Sequence, residues 1–123
     1  RDYAFYHSAW TNIAHQRILE PWPYIELNEE DARERQISEG EWLWVESLRG
    51  KIKAKARISK GVIKGAVSMC RPNYKHACKE LNLPGFDWDQ ANPNVLTTAE
   101  GSDPGFGAAP MRSSLCKVSK FSE

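Results

Sequence analysis

The stretch from Asp31 to Val67, DARERQISEGEWLWVESLRGKIKAKARISKGVIKGAV, decides the fold because its hydrophobic pattern changes period in the middle. Before Gly40, the apolar residues Ala32 and Ile37 have a spacing that suits one face of a helix. Beyond Gly40, side chains alternate between two faces, which is typical of strands. The stretch therefore predicts a short helix followed by β-structure.

The predicted helix has recognisable start and stop signals. Asn28 can cap its first turn, and Asp31 lies where the carboxylate of a capping box would accept a backbone N–H. Gly40 follows its end, where glycine commonly stops a helix. These positions predict a helix of about three turns at most.

The segment from Glu41 to Ile58 is predicted to form a β-hairpin. Its first strand has tryptophans on one face and smaller residues on the other, and both faces are expected to be covered: Trp42 and Trp44 against Leu43, Val45 and Ser47. After a turn at Leu48-Arg49-Gly50-Lys51, the second strand alternates apolar residues with cations: Ile52, Ala54, Ala56 and Ile58 against Lys53, Lys55 and Arg57. We expect its apolar face to pack in a core and its cationic face to contact solvent.

The rest of the chain has weaker patterns. A third strand is predicted over Val62 to Met69, a helix over Asn73 to Leu81 and a last strand over Arg112 to Lys120, whereas Ala4 to Leu19 could be helix or turns. A long stretch from Pro84 to Pro110 is rich in Gly, Pro, Asn and Asp. A loop of this length in a compact domain is usually functional or disordered.

Two groups of short motifs occur in order along nearly the whole chain. The first comprises Arg1, Tyr6-His7-Ser8, Pro23, Glu26-Leu27-Asn28, Ala32, Glu39-Gly40-Glu41, Ser47, Arg49-Gly50 and Ile63-Lys64-Gly65-Ala66-Val67. The second comprises Asn94-Val95-Leu96-Thr97, Asp103-Pro104-Gly105, Gly107 and Arg112. Together they resemble the C-terminal cofactor-binding domain of the dimethyl sulfoxide reductase-type molybdopterin oxidoreductases. Within that family, Tyr6-His7-Ser8 and Leu115-Cys116-Lys117-Val118 are most similar to acetylene hydratase-like and thiosulfate reductase-like members.

The resemblance implies a fold, a cofactor and partners. The fold would be mainly β with short helices, a double-psi β-barrel of about six strands in which residues 1–123 form a single molybdopterin dinucleotide-binding domain. The cofactor would be molybdopterin guanine dinucleotide carrying molybdenum or tungsten. The metal ligand and any iron-sulfur cluster would lie in other domains of the parent oxidoreductase, which could also pair with an iron-sulfur electron-transfer subunit. A fragment of this kind is expected to be catalytically inert by itself.

The same resemblance implies which residues contact the pterin. A pterin is a flat polar heterocycle with a phosphate tail, so its site needs amides, hydroxyls, cations and stacking surfaces. The implied contacts are His7, Ser8, Trp10, Asn12, Asn94 and Arg112. All of them except Trp10 are expected to converge on one rim of the barrel. Each has a structural alternative, because His7 and Trp10 could pack at the rim, Asn94 could form a turn and Arg112 could be an ordinary strand-end charge.

Composition limits the remaining functional classes. The 17 basic and 16 acidic residues nearly cancel, which argues against nucleic acid as the main partner. No apolar run approaches the roughly 20 residues that span a bilayer, so the chain is expected to be soluble, in the cytoplasm or periplasm of a prokaryote. Cys70, Cys78 and Cys116 lack Cys-x-x-Cys spacing, and Cys116 is expected to be buried in the last strand.

The first residue is Arg1, and we interpret the sequence as a fragment of a longer polypeptide. Two other functions stay open at this point. One is a stand-alone barrel module for DNA binding, and the other is a protein-docking domain.

Overall fold

The computed structural model describes residues 13–69, 91–98, 100–107 and 114–122. These ranges contain two short α-helices, five strands and one 3-10 helix: α1 (Ala14–Leu19), β1 (Tyr24–Leu27), α2 (Glu29–Glu34), β2 (Trp42–Glu46), β3 (Lys51–Ile58), β4 (Val67–Met69), the 3-10 helix (Pro93–Leu96) and β5 (Lys117–Lys120). The described part is therefore mainly β with short helices, as expected from the sequence. None of its helices has the length and apolar character needed to cross a membrane.

The five strands form one mixed sheet in the order β4-β1-β3-β2-β5. Strands β2 and β3 pair antiparallel with Val45 opposite Ile52, which confirms the predicted hairpin. Strand β1 pairs with β3 in parallel, with Ile25 opposite Ala56, and the other pairs are antiparallel. The hairpin therefore supplies the centre of the sheet.

One face of the sheet holds the hydrophobic core together with residues from the α2 region. The core residues are at most 5% exposed and comprise Ile25, Leu27, Ala32, Ile37, Leu43, Val45, Ile52, Ala54 and Ala56. Leu43, Ile52, Ala54 and Ala56 are fully buried, so the apolar face predicted for the hairpin is confirmed. Each large aliphatic side chain buried in this way contributes about 1.5 to 3 kcal/mol.

The helix α2 begins as predicted. Asn28 caps it, because its Oδ1 accepts a hydrogen bond from the Glu30 backbone N–H at 2.9 Å. Asp31 does not complete a capping box. Its Oδ2 instead accepts from the Gly65 backbone N–H at 2.7 Å, and this bond ties the helix to the turn before β4.

The helix ends one turn earlier than the sequence suggests. The N–H of Gln36 donates to the Arg33 carbonyl, the N–H of Ile37 donates to the Ala32 carbonyl, and Gln36 has φ of 56°. This hydrogen-bond pattern is a Schellman motif, in which the apolar residues at its two ends, here Ala32 and Ile37, pack together. The stop at Gly40 is thus wrong as a helix end, although Gly40 does have φ of 73° in the turn before β2.

Other boundaries also differ from the sequence-based predictions. Strand β1 is absent from them, and β4 and β5 are shorter than the strands expected over Val62 to Met69 and Arg112 to Lys120. Cys116 precedes β5 and is exposed, so its predicted burial in the last strand is wrong. The helix expected over Asn73 to Leu81 lies outside the described residues.

Candidate functional site

Asn94 lies on the 3-10 helix, which follows a sharp local cap. The Asn92 Oδ1 accepts from the Asn94 backbone N–H at 3.0 Å, and the Asn92 carbonyl accepts from the Val95 N–H at 3.0 Å. Pro93 occupies the first position of the helix, where its missing N–H costs nothing. The Asx-turn that Asn94 itself could have formed is therefore formed by Asn92.

The carboxamide of Asn94 has no internal role in the part of the chain that the structure describes. Its side chain is exposed, and its hydrogen bonds there are made by the backbone alone. The N–H donates to Asn92 Oδ1, and the carbonyl accepts from the Thr97 N–H and hydroxyl. A free carboxamide can both donate to and accept from the edge of a heterocycle. This is the property that the family resemblance requires of Asn94.

Asn92 is the residue that sequence reasoning missed. It is 1% exposed, and its buried Nδ2 has no hydrogen-bond partner among the residues that the structure describes. Buried polar groups are nearly always paired, so an unpaired buried donor directly before the helix is unusual. The signal available in the sequence was the Asn92-Pro93 step, which is typical of a turn or a helix cap.

The Asn94 segment packs against the turn of the central hairpin. Gly50 ends that turn, and its carbonyl accepts from the Ser47 N–H at 2.9 Å. A Cβ atom on Gly50 would overlap Val95 Cγ1 and would lie 3.0 Å from the Val95 carbonyl oxygen. Arg49 of the same turn forms an ion pair with Glu100, beyond the other end of the 3-10 helix. The two motif groups therefore meet at this turn.

The loop that follows is organised around Asp103. Its Oδ1 accepts from the Gly105 and Phe106 N–H groups at 2.9 and 2.7 Å, and its carbonyl accepts from the Gly107 N–H at 2.7 Å. Gly107 has φ of 66°, a conformation that favours glycine. The Asp103-Pro104-Gly105 motif thus forms the loop itself rather than offering a free carboxylate.

The other implied pterin contacts, His7, Ser8, Trp10, Asn12 and Arg112, lie outside the described residues. Their convergence with Asn94 on one rim stays a prediction.

The outer face of the sheet carries cations stacked on aromatic rings. The charged groups of β3 lie 4.0 to 5.3 Å from ring centroids: Lys51 over Trp44, Lys53 over Trp42 and Phe121, Lys55 over Trp22 and Trp42, and Arg57 over Tyr24. Arg57 also forms an ion pair with Glu20 at 3.0 Å, and Glu20 is 5% exposed. The predicted exposure of this cationic face holds in part, since Lys53, Lys55 and Arg57 are half-buried above aromatic rings that stabilise them.

A cavity of about 570 Å³ lies between the two edges of the sheet. Val67 of β4 lines it from one edge and Val118 of β5 from the other, with Asp31 and Arg35 nearby. Strands β4 and β5 are the outermost strands of the sheet. Because both line one cavity, the sheet is strongly curved.

Comparison with known proteins identifies the family. The family model described as "Molydopterin dinucleotide binding domain" matches residues 1–114. The chain belongs to this family. Residues 1–114 include both motif groups, so the sequence resemblance is confirmed at family level.

Three similar proteins illustrate the range of the family. The chain is 29% identical to a dopamine dehydroxylase of Eggerthella lenta over 94% of its own length and 11% of that protein. It is 40% identical to a formate dehydrogenase alpha subunit of Methanocaldococcus jannaschii over 61% of its own length and 9% of that protein. The structure of acetylene hydratase from Pelobacter acetylenicus superposes with a TM-score of 0.76 at 20% identity, over 98% of this chain and 17% of that one. The chain thus spans about a tenth of the length of these two curated relatives.

Proposed function

We propose that this domain binds molybdopterin guanine dinucleotide within a molybdenum- or tungsten-dependent oxidoreductase. The observation that carries the proposal is the exposed carboxamide of Asn94, which has no partner within the described ranges and stands on a segment fixed by buried neighbours in a chain of this family. A binding group that is held rigidly and left without internal partners is what an orienting contact requires. The family assignment favours this function over DNA binding or general protein docking.

The residues of the chain fit the ligand chemically. Asn94 would supply an amide to the pterin edge, and Arg112 would supply a cation to a pterin carbonyl or phosphate. His7, Ser8, Trp10 and Asn12 would add an imidazole, a hydroxyl, a ring face and a second amide. When bound, the cofactor supplies the redox chemistry at its metal, and this chain holds and orients the organic part.

The proposed fold is a double-psi β-barrel over residues 1–123 as a single domain. Support comes from the curvature of the sheet, whose edge strands β4 and β5 line one cavity. The TM-score of 0.76 over 98% of the chain agrees with a shared fold. Closure of the barrel would involve segments beyond the described strands.

The proposed setting is a larger enzyme. Because the chain matches only 11% and 9% of the length of the two curated relatives, we expect other domains to complete the cofactor site and to provide the metal ligand. Any iron-sulfur cluster would belong to those domains or to an electron-transfer subunit. The substrate is not fixed by this domain, since the names of the three similar proteins point to different substrates.

The proposal is tested in the intact polypeptide that contains this domain. Asn94→Ala and Arg112→Ala should each lower cofactor affinity by about 1 to 3 kcal/mol, because each removes one polar contact, and the charged one should cost most. The measurement is the pterin content of folded protein, determined from the fluorescence of the oxidised pterin after release.

Lys60→Ala is the matched control, because Lys60 is exposed in the turn after β3. Its pterin content should equal that of the unsubstituted protein. Unchanged pterin content in both Asn94→Ala and Arg112→Ala would refute the proposed site while leaving the family assignment intact.

A further inference from the structure

Starting from the proposed pterin contact of Asn94, we infer that the Ser47–Gly50 turn is a positioning element for this contact. Val95 would rest on Gly50, the Arg49–Glu100 ion pair would hold the far end of the segment, and together they would set where the Asn94 carboxamide lies. Gly50 and Arg49 are positioning residues in this inference, since neither is placed in contact with the cofactor.

The first argument is the closeness of the two segments at Gly50. The obstacle to any side chain there includes the Val95 carbonyl oxygen at 3.0 Å, which is backbone and cannot rotate away. The φ of Gly50 lies outside the left-handed region, so its conformation alone does not require glycine. Glycine is needed here for close approach, and any larger residue would displace the 3-10 helix that carries Asn94.

The second argument is that the segment is held on both sides of Asn94. On one side, Ala91 and Asn92 are buried, and the Asn92 carboxamide caps the helix. On the other side, Leu96 packs against the core, and Glu100 pairs with Arg49. Of residues 93–98, only Asn94 is exposed, so a shift of the segment on the turn moves its carboxamide directly.

The third argument is that the turn itself is rigid. It joins the two central strands, whose ladder runs up to the Glu46–Lys51 pair. The Ser47 hydroxyl accepts from the Arg49 N–H at 3.1 Å, and the Gly50 carbonyl closes the turn. A residue that packs against such a turn is therefore held in a fixed position relative to the sheet.

The test is a double-mutant cycle in the intact polypeptide, isolated with its cofactor. The variants are Gly50→Ala, Asn94→Ala and the pair combined, and the measurement is the rate of pterin release in mild denaturant. Gly50→Ala should speed release about tenfold, the equivalent of one misplaced hydrogen bond. In the Asn94→Ala background, Gly50→Ala should raise the release rate by no more than about twofold, because the contact that it misplaces is already absent.

Two further variants distinguish a positioning effect from a general loss of stability. Gly61→Ala is the matched control, because a Cβ there meets only Ser59 Oγ at 3.4 Å, and release should not change. Val95→Ala combined with Gly50→Ala removes the closer overlap, with Val95 Cγ1, and leaves the carbonyl oxygen at 3.0 Å. Release should therefore return only in part, to within about threefold of the unsubstituted protein, and no recovery at all would count against the overlap as the cause.

The outcomes distinguish this inference from the proposed function. If Asn94→Ala leaves release unchanged, the pterin contact itself fails. If Asn94→Ala speeds release, the pterin contact is supported. The positioning role is then overturned if Gly50→Ala has no effect, or if it still speeds release about tenfold in the Asn94→Ala background. Should Gly50→Ala yield no folded protein, the same cycle with Arg49→Gln decides, with an expected non-additive increase of about threefold.

Discussion

The central hairpin carries part of the first motif group, and the Asn92–Gly107 segment carries most of the second. The two regions are stabilised by different kinds of interaction. In the hairpin, five residue pairs join β2 to β3, and the inward side chains are almost completely buried. In the segment, most hydrogen bonds join residues two to four positions apart, and Phe106 is 94% exposed.

The hairpin therefore acts as the scaffold, and the Asn92–Gly107 segment as the contact surface. The hairpin is stabilised by apolar burial and strand pairing, and it does not need a ligand. The segment offers exposed polar groups and is fixed at a few points, chiefly at the Gly50 turn and the buried Asn92. Binding groups are commonly found on loops placed by a rigid scaffold in this way.

Hydrogen exchange should show the largest difference between the two regions. The Ala56 N–H donates to the Glu41 carbonyl at 2.8 Å in the sheet, whereas the Gly105 N–H donates only to the nearby Asp103 side chain. We expect the Ala56 amide to exchange at least about a thousandfold more slowly than the Gly105 amide. Equal exchange of the two amides in the ligand-free protein would contradict this comparison.

Truncation of one apolar side chain in each region should give the next largest difference. Ile52→Ala removes a fully buried side chain from the centre of the core and should lower the free energy of unfolding by about 2 to 5 kcal/mol. Phe106→Ala, at an exposed position, should change it by less than about 0.5 kcal/mol. Denaturant unfolding measures both, and a large cost for Phe106→Ala would show that the segment has a core of its own.

Replacing the two capping asparagines, Asn28 and Asn92, should change the free energy of unfolding by amounts that differ less than in the preceding pair. Asn28 accepts from the Glu30 N–H and also donates to the Val62 carbonyl at 2.8 Å, so Asn28→Ala should cost about 1 to 3 kcal/mol. Asn92→Ala loses one accepted bond but also removes an unpaired buried donor, so it should cost less than about 1 kcal/mol. Thermal unfolding tests this order, and a greater cost at Asn92 would mean that its Nδ2 has a partner in the protein as isolated.

The smallest predicted effect concerns pH at the start of the hairpin. The Ser38 N–H donates to Glu41 Oε2 at 2.8 Å, and with Lys120 it lowers the pKa of Glu41 below its usual value of 4.5. Folding therefore favours the carboxylate, and its contribution is present above pH 4.5 and is lost as pH falls through the folded pKa. Unfolding curves of Glu41→Gln should show a loss of stability at pH 7 that disappears once the pH is below the folded pKa of Glu41. A loss that persists at low pH would assign the effect to packing.

Much of the scaffold could be predicted from local pattern. The alternation of Ile52, Ala54 and Ala56 gave the central hairpin, because a period of two places those side chains on one face whatever they pack against. Asn28 gave the helix start, because a cap acts on the next two or three residues. The order of the motifs gave the family, which the match over residues 1–114 confirms.

The helix end and β1 could not be found in this way. Gln36, rather than the glycine that the sequence offers, ends α2 with φ of 56°, because Ala32 and Ile37 are both buried in the core. Strand β1 has four residues, too few for a clear alternation, and it exists because β3 and β4 pair with it on either side.

The sequence by itself determined the hairpin, the first helix cap and the family, since each depends on residues that are close together or in fixed order. Only the tertiary structure decided that Gly50 lies under Val95, that Asn92 is buried and that the Asn94 side chain is exposed. The physical reason is that these features depend on contact between segments far apart in the chain. Such contacts are set by the shape of the packed sheet, which no local period encodes.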